Sequence, residues 1–400
     1  MTDRTDDTSI QDAVTVRPNP FACTMNRRNF IKGMGAVLAY CVAADGVCRG
    51  KTEYGPLTES PARFFKSLDK NAVQCRQCFR QCIIAPGKTG FCDIRINRSG
   101  ALKTVSYGNP GAVNVDPIEK KPLYHVFPGT AAFSIAEIGC NIDCDFCQNW
   151  QIAQVKPGKL GVRSMSPMAV AEAASAAKCL TIAYTYSEPV VWSEYVLDCA
   201  RAGRKTGLAS VIVSNGTWAP DVLRELTQEV LAIKVDLKSI EPDYYERICH
   251  GQLAPVLENL EIIRKEGIWL ELVNLVVPTL NDSDDNFRKM SKWVKSHLGC
   301  DVPLHFTRFH PMYRLQHLPP TPVETLTRAR DIARSEGLKF VYVGNVPAHE
   351  GEHTWCPACG RMLVERKGYR VRLTGLADGR CTGCGERIPG IWKPGSISSS

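Results

Sequence analysis

Cys140, Cys144 and Cys147 stand in one short run from Ile138 to Trp150, spaced C-x3-C-x2-C, with Phe146 directly before the last of them. A compact loop with three thiolates suits three irons of a 4Fe-4S cluster and leaves the fourth iron open to a ligand that is not protein. Structural zinc wants four donors at tetrahedral corners, so a trio with no fourth cysteine or histidine beside it in sequence points away from zinc. The remaining reading is three core cysteines close together by chance. The apolar run Ala131 to Ile138 before them, and the spacing itself, argue against it.

The trio with its aromatic residue resembles the signature of the radical SAM superfamily, C-x3-C-x-aromatic-C. The resemblance implies that S-adenosyl-L-methionine chelates the open iron, with Phe146 part of the cofactor site. An electron from a low-potential donor such as flavodoxin or ferredoxin then cleaves the sulfonium to methionine and a 5'-deoxyadenosyl radical that abstracts hydrogen from a substrate. The protein's share is cluster binding, orientation and exclusion of water.

Two further groups bring the clustered cysteines to eleven of the eighteen in the chain. Such short spacings in a chain this large read as reduced, metal-binding thiols and not as a disulfide framework. Cys75, Cys78, Cys82 and Cys92, with Gly87 and Gly90 to turn the chain, fit one auxiliary metal or a second cluster, or a structural knuckle with no redox role. Cys356, Cys359, Cys381 and Cys384 form two matching knuckles, each followed by a glycine expected to aim a backbone N–H at a thiolate. That is the spacing of a zinc ribbon, structural in role, with zinc or iron as the metal. Cys179, Cys199, Cys249 and Cys300 read as core or surface residues.

The chain has 400 residues, 44% hydrophobic and 22% charged, enough for one large domain with small accessories. Its net charge of +8 is spread along the sequence, without the basic stripe of a nucleic-acid binder, and no apolar run reaches membrane-spanning length. Residues 1–70 read as a polar leader and linker. Within them Arg27, Arg28, Phe30 and Lys32 precede a weakly apolar stretch and resemble a twin-arginine export signal, an amphipathic N-terminal helix being the other reading. A low-potential cluster fits the cytoplasm better than an oxidising compartment, so a cytoplasmic protein is expected, with export to the periplasm as the alternative.

Residues 71–130 form the first cysteine-rich segment. From 131 to 347 apolar strands alternate with helix-period segments, which means parallel pairing and an α/β fold, best fitted by an incomplete (β/α) barrel. Strands are expected at 131–138, 180–186, 210–214, 231–237, 269–277, 303–309 and 340–343. Residues 348–391 form the ribbon-like module and 392–400 a tail. Chemistry on such a fold collects at the carboxyl ends of the strands.

Glu188 closes the second strand and opens a helix. It is a helix cap or, at the mouth of a barrel, the acceptor for a ligand ammonium, and the latter is favoured. Asp236 and Lys238 face one way at the end of the fourth strand. Lys238 would offset a cofactor carboxylate while Asp236 holds a cation or orients that lysine, or the two form a plain ion pair. Asn274 lies on the fifth strand. His310, past the sixth, serves substrate binding or proton transfer, or is structural.

Tyr186-Ser-Glu-Pro189, Asn215-Gly216, Asp236-Leu-Lys238, Asn274-Leu-Val-Val-Pro278, Arg308-Phe-His-Pro311 and Gly344-Asn-Val-Pro347 together resemble the AmmeMemoRadiSam system radical SAM enzymes, relatives of pyruvate formate-lyase activating enzyme. The resemblance runs from about Cys75 to Gly390. It implies that Glu188 holds the amino group of S-adenosyl-L-methionine and that Ser214 and Asn215 reach its ribose or carboxylate. It also suggests a protein substrate or Memo-like and AMMECR-like partners, and names no substrate. A glycyl-radical-enzyme activase, and a non-catalytic iron-sulfur carrier or metal-bound scaffold, are the rival readings.

Overall fold

The computed structural model describes residues 57–394. The twin-arginine segment, the rest of the leader to residue 56, and the tail from 395 lie outside the described residues.

An eight-stranded sheet runs in chain order: β1 (Ala112–Pro117), β2 (Ala131–Ala136), β3 (Thr181–Tyr184), β4 (Ala209–Ser214), β5 (Ala232–Asp236), β6 (Trp269–Val276), β7 (Leu304–Arg308) and β8 (Val341–Gly344). β2 to β8 pair in parallel, while β1 pairs antiparallel with β2 at the edge. β1 and β8 do not pair with each other. All seven expected strands are present within a few residues. β1 is an addition: it ends in Pro117, carries Asn114 and Asp116, and leaves Val115 exposed, so its sequence has little of the strand character of a central position.

The crossovers are made by α1 (Pro167–Ala176), α2 (Ser193–Lys205), α3 (Pro220–Thr227), α4 (Pro242–Arg247), α5 (Ala254–Lys265), α6 (Asp284–His297) and α7 (Val323–Ser335). Their starts follow local chemistry. The Ser283 hydroxyl accepts from Asn286 N at the head of α6, with Asp284 and Asp285 in the first turn, and Ser166 caps α1 through Ala169 N. Phe287, Met290 and Val294 form the buried stripe of α6, each contributing roughly 2 kcal/mol of burial. The helix expected from Pro189 onward is instead a 3-10 turn, Pro189–Trp192, followed by α2, because Glu188 accepts from Val190 N and starts a separate tight turn.

The amino-terminal end of the sheet is closed. Ile118, Leu123, Val126 and Phe127 pack with Ala132, Ala183, Val211 and Ala232 from four successive strands. The C-terminal module adds a second layer, sharing a core of Leu363, Val364 and Leu376 with Tyr124, Phe340 and Tyr342. Arg366, fully buried, donates to Tyr124 O at 2.7 Å, and Phe127 N donates to Ile391 O at 2.8 Å. The chemistry is thereby left to the other end.

Two small three-stranded sheets carry the first cysteine segment. Arg95 fastens them to α2: its guanidinium meets both Glu194 oxygens, at 2.7 and 2.6 Å, and donates to Val191 O. Both partners are buried, so removing either would strand a charge, a loss of about 3–5 kcal/mol.

Candidate functional site

The loop after β2 carries the central trio. Gly139 adopts φ +99°, and a Cβ there would lie 2.6 Å from Ile94 Cγ1, so only glycine lets the chain turn against the first cysteine segment. Beyond it the loop is anchored on several sides. Asp143 N donates to Cys249 O and Asp145 N to Ile248 O. Arg314 donates to Asp143 Oδ2 at 2.6 Å and to Asp145 Oδ1 at 3.0 Å. Arg80 donates to Asn141 O and His250 O, each at 2.5 Å. Phe146 is buried against Tyr244, and Lys238 Nζ stands 5.4 Å from its ring centre.

Burial pushes the Cys140 thiol far above its usual range, helped by the Glu188 carboxylate, and pushes Cys147 up to about 12. Cys144 is lowered instead, by the Cys249 thiol against burial, with Lys238 assisting. Three thiolates in so dry a loop need a metal to offset their charge, and the all-sulfur donor set suits iron-sulfur ligation. The residues present therefore fit a cluster.

Glu188 is 3% exposed and spends both oxygens inside the protein. Oε1 accepts from Val190 N at 3.0 Å and Ser214 Oγ at 2.6 Å, and Oε2 from Asn215 N at 2.7 Å. Burial raises its pKa to about 7 against these donors. Tyr186, two residues earlier, is held at φ +64°, a sparsely populated conformation for a non-glycine residue. Asn149 Nδ2 donates to its carbonyl and its hydroxyl bonds Asp116. Asn215 Nδ2 lies 3.9 Å from Cys140 Sγ and 2.9 Å from Asn141 Oδ1.

Asp236 sits between two lysines, paired with Lys234 and with Lys238 at 3.5 Å. Burial opposes its charge, yet the two ammonium groups hold its pKa below the ordinary value. Burial likewise opposes Lys238, which Asp236 and Cys144 outweigh, raising its pKa. Asn274 lies fully buried beneath this loop, its Nδ2 donating to the carbonyls of Leu237 and Lys238 while its Oδ1 has no hydrogen-bond partner. His310 stands past β7, where burial and Arg308 lower its pKa. The tie from that segment to the cysteine loop is made by Arg314 and by Tyr313, stacked on Trp150 at 5.5 Å.

Phe146, Glu188, Ser214, Asn215, Asp236 and Lys238 thus gather around the cysteine loop, with Asn274 beneath the turn of Leu237 and Lys238. Sequence reasoning missed Lys234, although a Lys-x-Asp repeat on a strand puts both side chains on one face. It also missed Asn141, Arg80 and Arg314, which are brought in from distant segments. Cys249, expected as a core residue, is fully buried with its thiol beside Cys144.

The C-terminal quartet is compact. Cys356 and Cys384 Sγ lie 3.6 Å apart, as do Cys359 and Cys381, and all four sulfurs fall within 4.8 Å of one another. A tetrahedral ion with metal–sulfur bonds of about 2.3 Å sets sulfurs about 3.8 Å apart, so the group fits a single metal. The expected role of Gly360 and Gly385 is corrected here: their N–H groups bond the carbonyls of Cys356 and Cys381, and it is Gly383 N that points at Cys381 Sγ, at 3.4 Å. Both glycines have positive φ and close the turns of their knuckles.

Residues 138–293 match the family described as the Radical SAM superfamily. The uncharacterized protein MJ0808 of Methanocaldococcus jannaschii is 44% identical over 329 residues, which are 82% of this chain and 98% of that protein. Pyruvate formate-lyase-activating enzyme of Clostridium pasteurianum is 20% identical over 40% of this chain and 67% of its own. A radical SAM methyltransferase from Sphaerobacter thermophilus overlays 84% of this chain and 87% of its own at 13% identity, with a TM-score of 0.46.

Proposed function

The chain belongs to the radical SAM superfamily, and from that premise we propose that it is an enzyme that cleaves S-adenosyl-L-methionine reductively at a 4Fe-4S cluster held by Cys140, Cys144 and Cys147. When bound, the cluster and S-adenosyl-L-methionine supply a 5'-deoxyadenosyl radical for hydrogen abstraction from a protein or small-molecule substrate. The observation that carries this reading is the three-cysteine loop at the carboxyl end of β2, with Asn215 and Glu188 joined beside Cys140.

The chain's own groups have separable tasks. Arg314 and Arg80 hold the cysteine loop from opposite segments. Glu188, oriented by Ser214 and Asn215 beside Cys140, would accept a ligand ammonium, which would in turn favour its ionised form through a charge-assisted bond stronger than a neutral one. Lys238, its charge secured by Asp236, suits a ligand carboxylate. Closure of the amino-terminal end and the apolar packing around Phe146 exclude water.

The motif set supports assignment to the AmmeMemoRadiSam system, with Memo-like or AMMECR-like proteins as partners and a low-potential flavodoxin or ferredoxin as electron donor. Sulfur spacing supports zinc in the C-terminal quartet. Among the described residues no helix is long and apolar enough to cross a membrane, and cytoplasmic residence stays our reading. A glycyl-radical-enzyme activase is the second reading, favoured by the likeness to pyruvate formate-lyase-activating enzyme. Anaerobic reconstitution, reduction with S-adenosyl-L-methionine, and assay of methionine and 5'-deoxyadenosine test the primary reading. A reduced cluster that yields neither product would overturn it.

A further inference from the structure

Cys75, Cys78, Cys82 and Cys92 line a single cavity, shared with Gln77, Arg80, Arg95 and Asn141. Among the described residues the C-terminal quartet is the group whose donors fall within 4.8 Å of one another, so the sulfurs of this one are spread more widely. An iron-sulfur cube is larger than one ion and holds its thiolates farther apart.

The lining suits such a cube. Gln77 is 2% exposed, yet both polar atoms of its side-chain amide lack a hydrogen-bond partner, which is costly unless a ligand in the cavity takes them up. Backbone N–H groups of Gln77, Arg80 and Ile94 are directed at Cys75, Cys78 and Cys92, as hydrogen bonds to cluster sulfurs require. Arg80 and Arg95 bring two positive charges to the walls. Gly90, without a Cβ, leaves room beside Cys82 Sγ, which a side chain there would approach to 3.6 Å.

The cavity also adjoins the central loop. Asn141 follows Cys140 directly and bonds Cys78, while Arg80 reaches Asn141 O at 2.5 Å. A Cβ on Gly139, just before Cys140, would stand 3.2 Å from the carbonyl of Cys92. The two loops therefore pack against each other at Gly139 and Asn141.

We propose that Cys75, Cys78, Cys82 and Cys92 hold a second 4Fe-4S cluster, ligated at all four irons, that passes electrons one at a time to the cluster of Cys140, Cys144 and Cys147. The proposal rests on the radical SAM reading of the central trio. With every iron occupied by cysteine, the second cluster has no place for substrate and serves electron transfer. A reduced low-potential donor protein loses one electron to it, taking it from the 2+ to the 1+ state. That electron then reduces the central cluster, with no bond made or broken and no proton moved in the relay.

The test uses the full chain reconstituted anaerobically with iron and sulfide. The wild type should hold about eight irons and eight sulfides, and the Cys140→Ala, Cys144→Ala, Cys147→Ala triple variant about four of each, in a cluster whose spectrum S-adenosyl-L-methionine does not perturb. The Cys75→Ala, Cys82→Ala double variant should keep about four irons, now perturbed by the cofactor. In the reduced wild type, magnetic interaction between two nearby clusters should broaden the electron paramagnetic resonance signal, and either variant should sharpen it. A triple variant holding a second zinc beyond that of the C-terminal quartet, or iron without sulfide, would overturn the cluster, and unbroadened signals in the fully loaded wild type would overturn the relay. If the double variant does not fold, the triple variant still decides. A central cluster indifferent to S-adenosyl-L-methionine would sink the radical reading while leaving the outer iron and sulfide count standing.

Discussion

Asn215 Nδ2 donates to Asn141 Oδ1 at 2.9 Å, joining the loop after β4 to the middle of the cysteine loop after β2. Because Asn215 N is bound by Glu188 as well, the ends of β2, β3 and β4 are tied together.

Replacing Cys140, Cys144 or Cys147 with Ala should abolish formation of methionine and 5'-deoxyadenosine, because losing one of three thiolates leaves a second iron unheld. Product formation at the wild-type rate in any of the three would refute the central assignment.

Glu188→Gln should weaken S-adenosyl-L-methionine binding about 10-fold or more, the loss of one charge-assisted hydrogen bond of roughly 1.5 kcal/mol or above. The amide can still accept from Val190 N and Ser214 Oγ, so the turn should persist. Titration of the cofactor, followed by electron paramagnetic resonance of the reduced cluster, reads this out. Unchanged affinity with an intact cluster would reduce Glu188 to a cap and a tie between strands.

Cys249→Ala should retain both the central cluster and cofactor cleavage, since three cysteines already account for the ligated irons. Its neighbour Cys144 makes this the sharpest check on the open iron: a variant that loses iron would make Cys249 a fourth ligand and favour a plain electron carrier.

Cys356→Ala or Cys381→Ala should lower thermal stability and release the metal of the quartet, because structural sites contribute folding energy directly. The absorption of the central cluster should remain. Its disappearance in the same variants would show that the two sites depend on each other.

Stability should decline as pH falls from about 6.5 toward 4, in part through His125. Burial lowers its pKa to about 4 despite the nearby Glu271 carboxylate, while Nδ1 meets Pro389 O and Nε2 meets Tyr342 Oη, both at 2.6 Å. The unfolded chain binds a proton near pH 6.5 that the folded chain refuses until about 4, so the stabilisation is complete above 6.5 and is lost through this window, up to about 3 kcal/mol in all. Urea midpoints between pH 7 and 4.5 measure it. His125→Gln should flatten the slope, and an unchanged slope would assign the acid sensitivity elsewhere.

Most of the parallel sheet was legible because β2 to β8 are apolar runs separated by helix-period segments, and a repeat of two periods leaves few alternatives. The cysteine groups were legible from spacing. β1 was not, since an edge strand shaped by its partner needs little intrinsic preference. The anchors of the cysteine loop were hidden for another reason: Arg80 and Arg314 are about 60 and 170 residues from the carboxylates and carbonyls they bind, and a surface arginine has no sequence signature that names its partner. Glu188 was found as a site residue, but the three donors that occupy it come from two loops and only tertiary packing brings them together.

The first cysteine segment rests on the loop after β4: Phe79 N donates to Thr217 O, and Ala219 N to Gln77 O. With the amino-terminal end of the sheet closed, the rim carries all the traffic, and these two hydrogen bonds divide it into sectors. The arc above β3 and β4 belongs to Cys75–Cys92. The arc above β5 to β8 carries Lys238 and the segment of His310. A bulky partner landing there and an electron donor landing on the opposite arc would not compete for surface, so neither need leave before the other arrives.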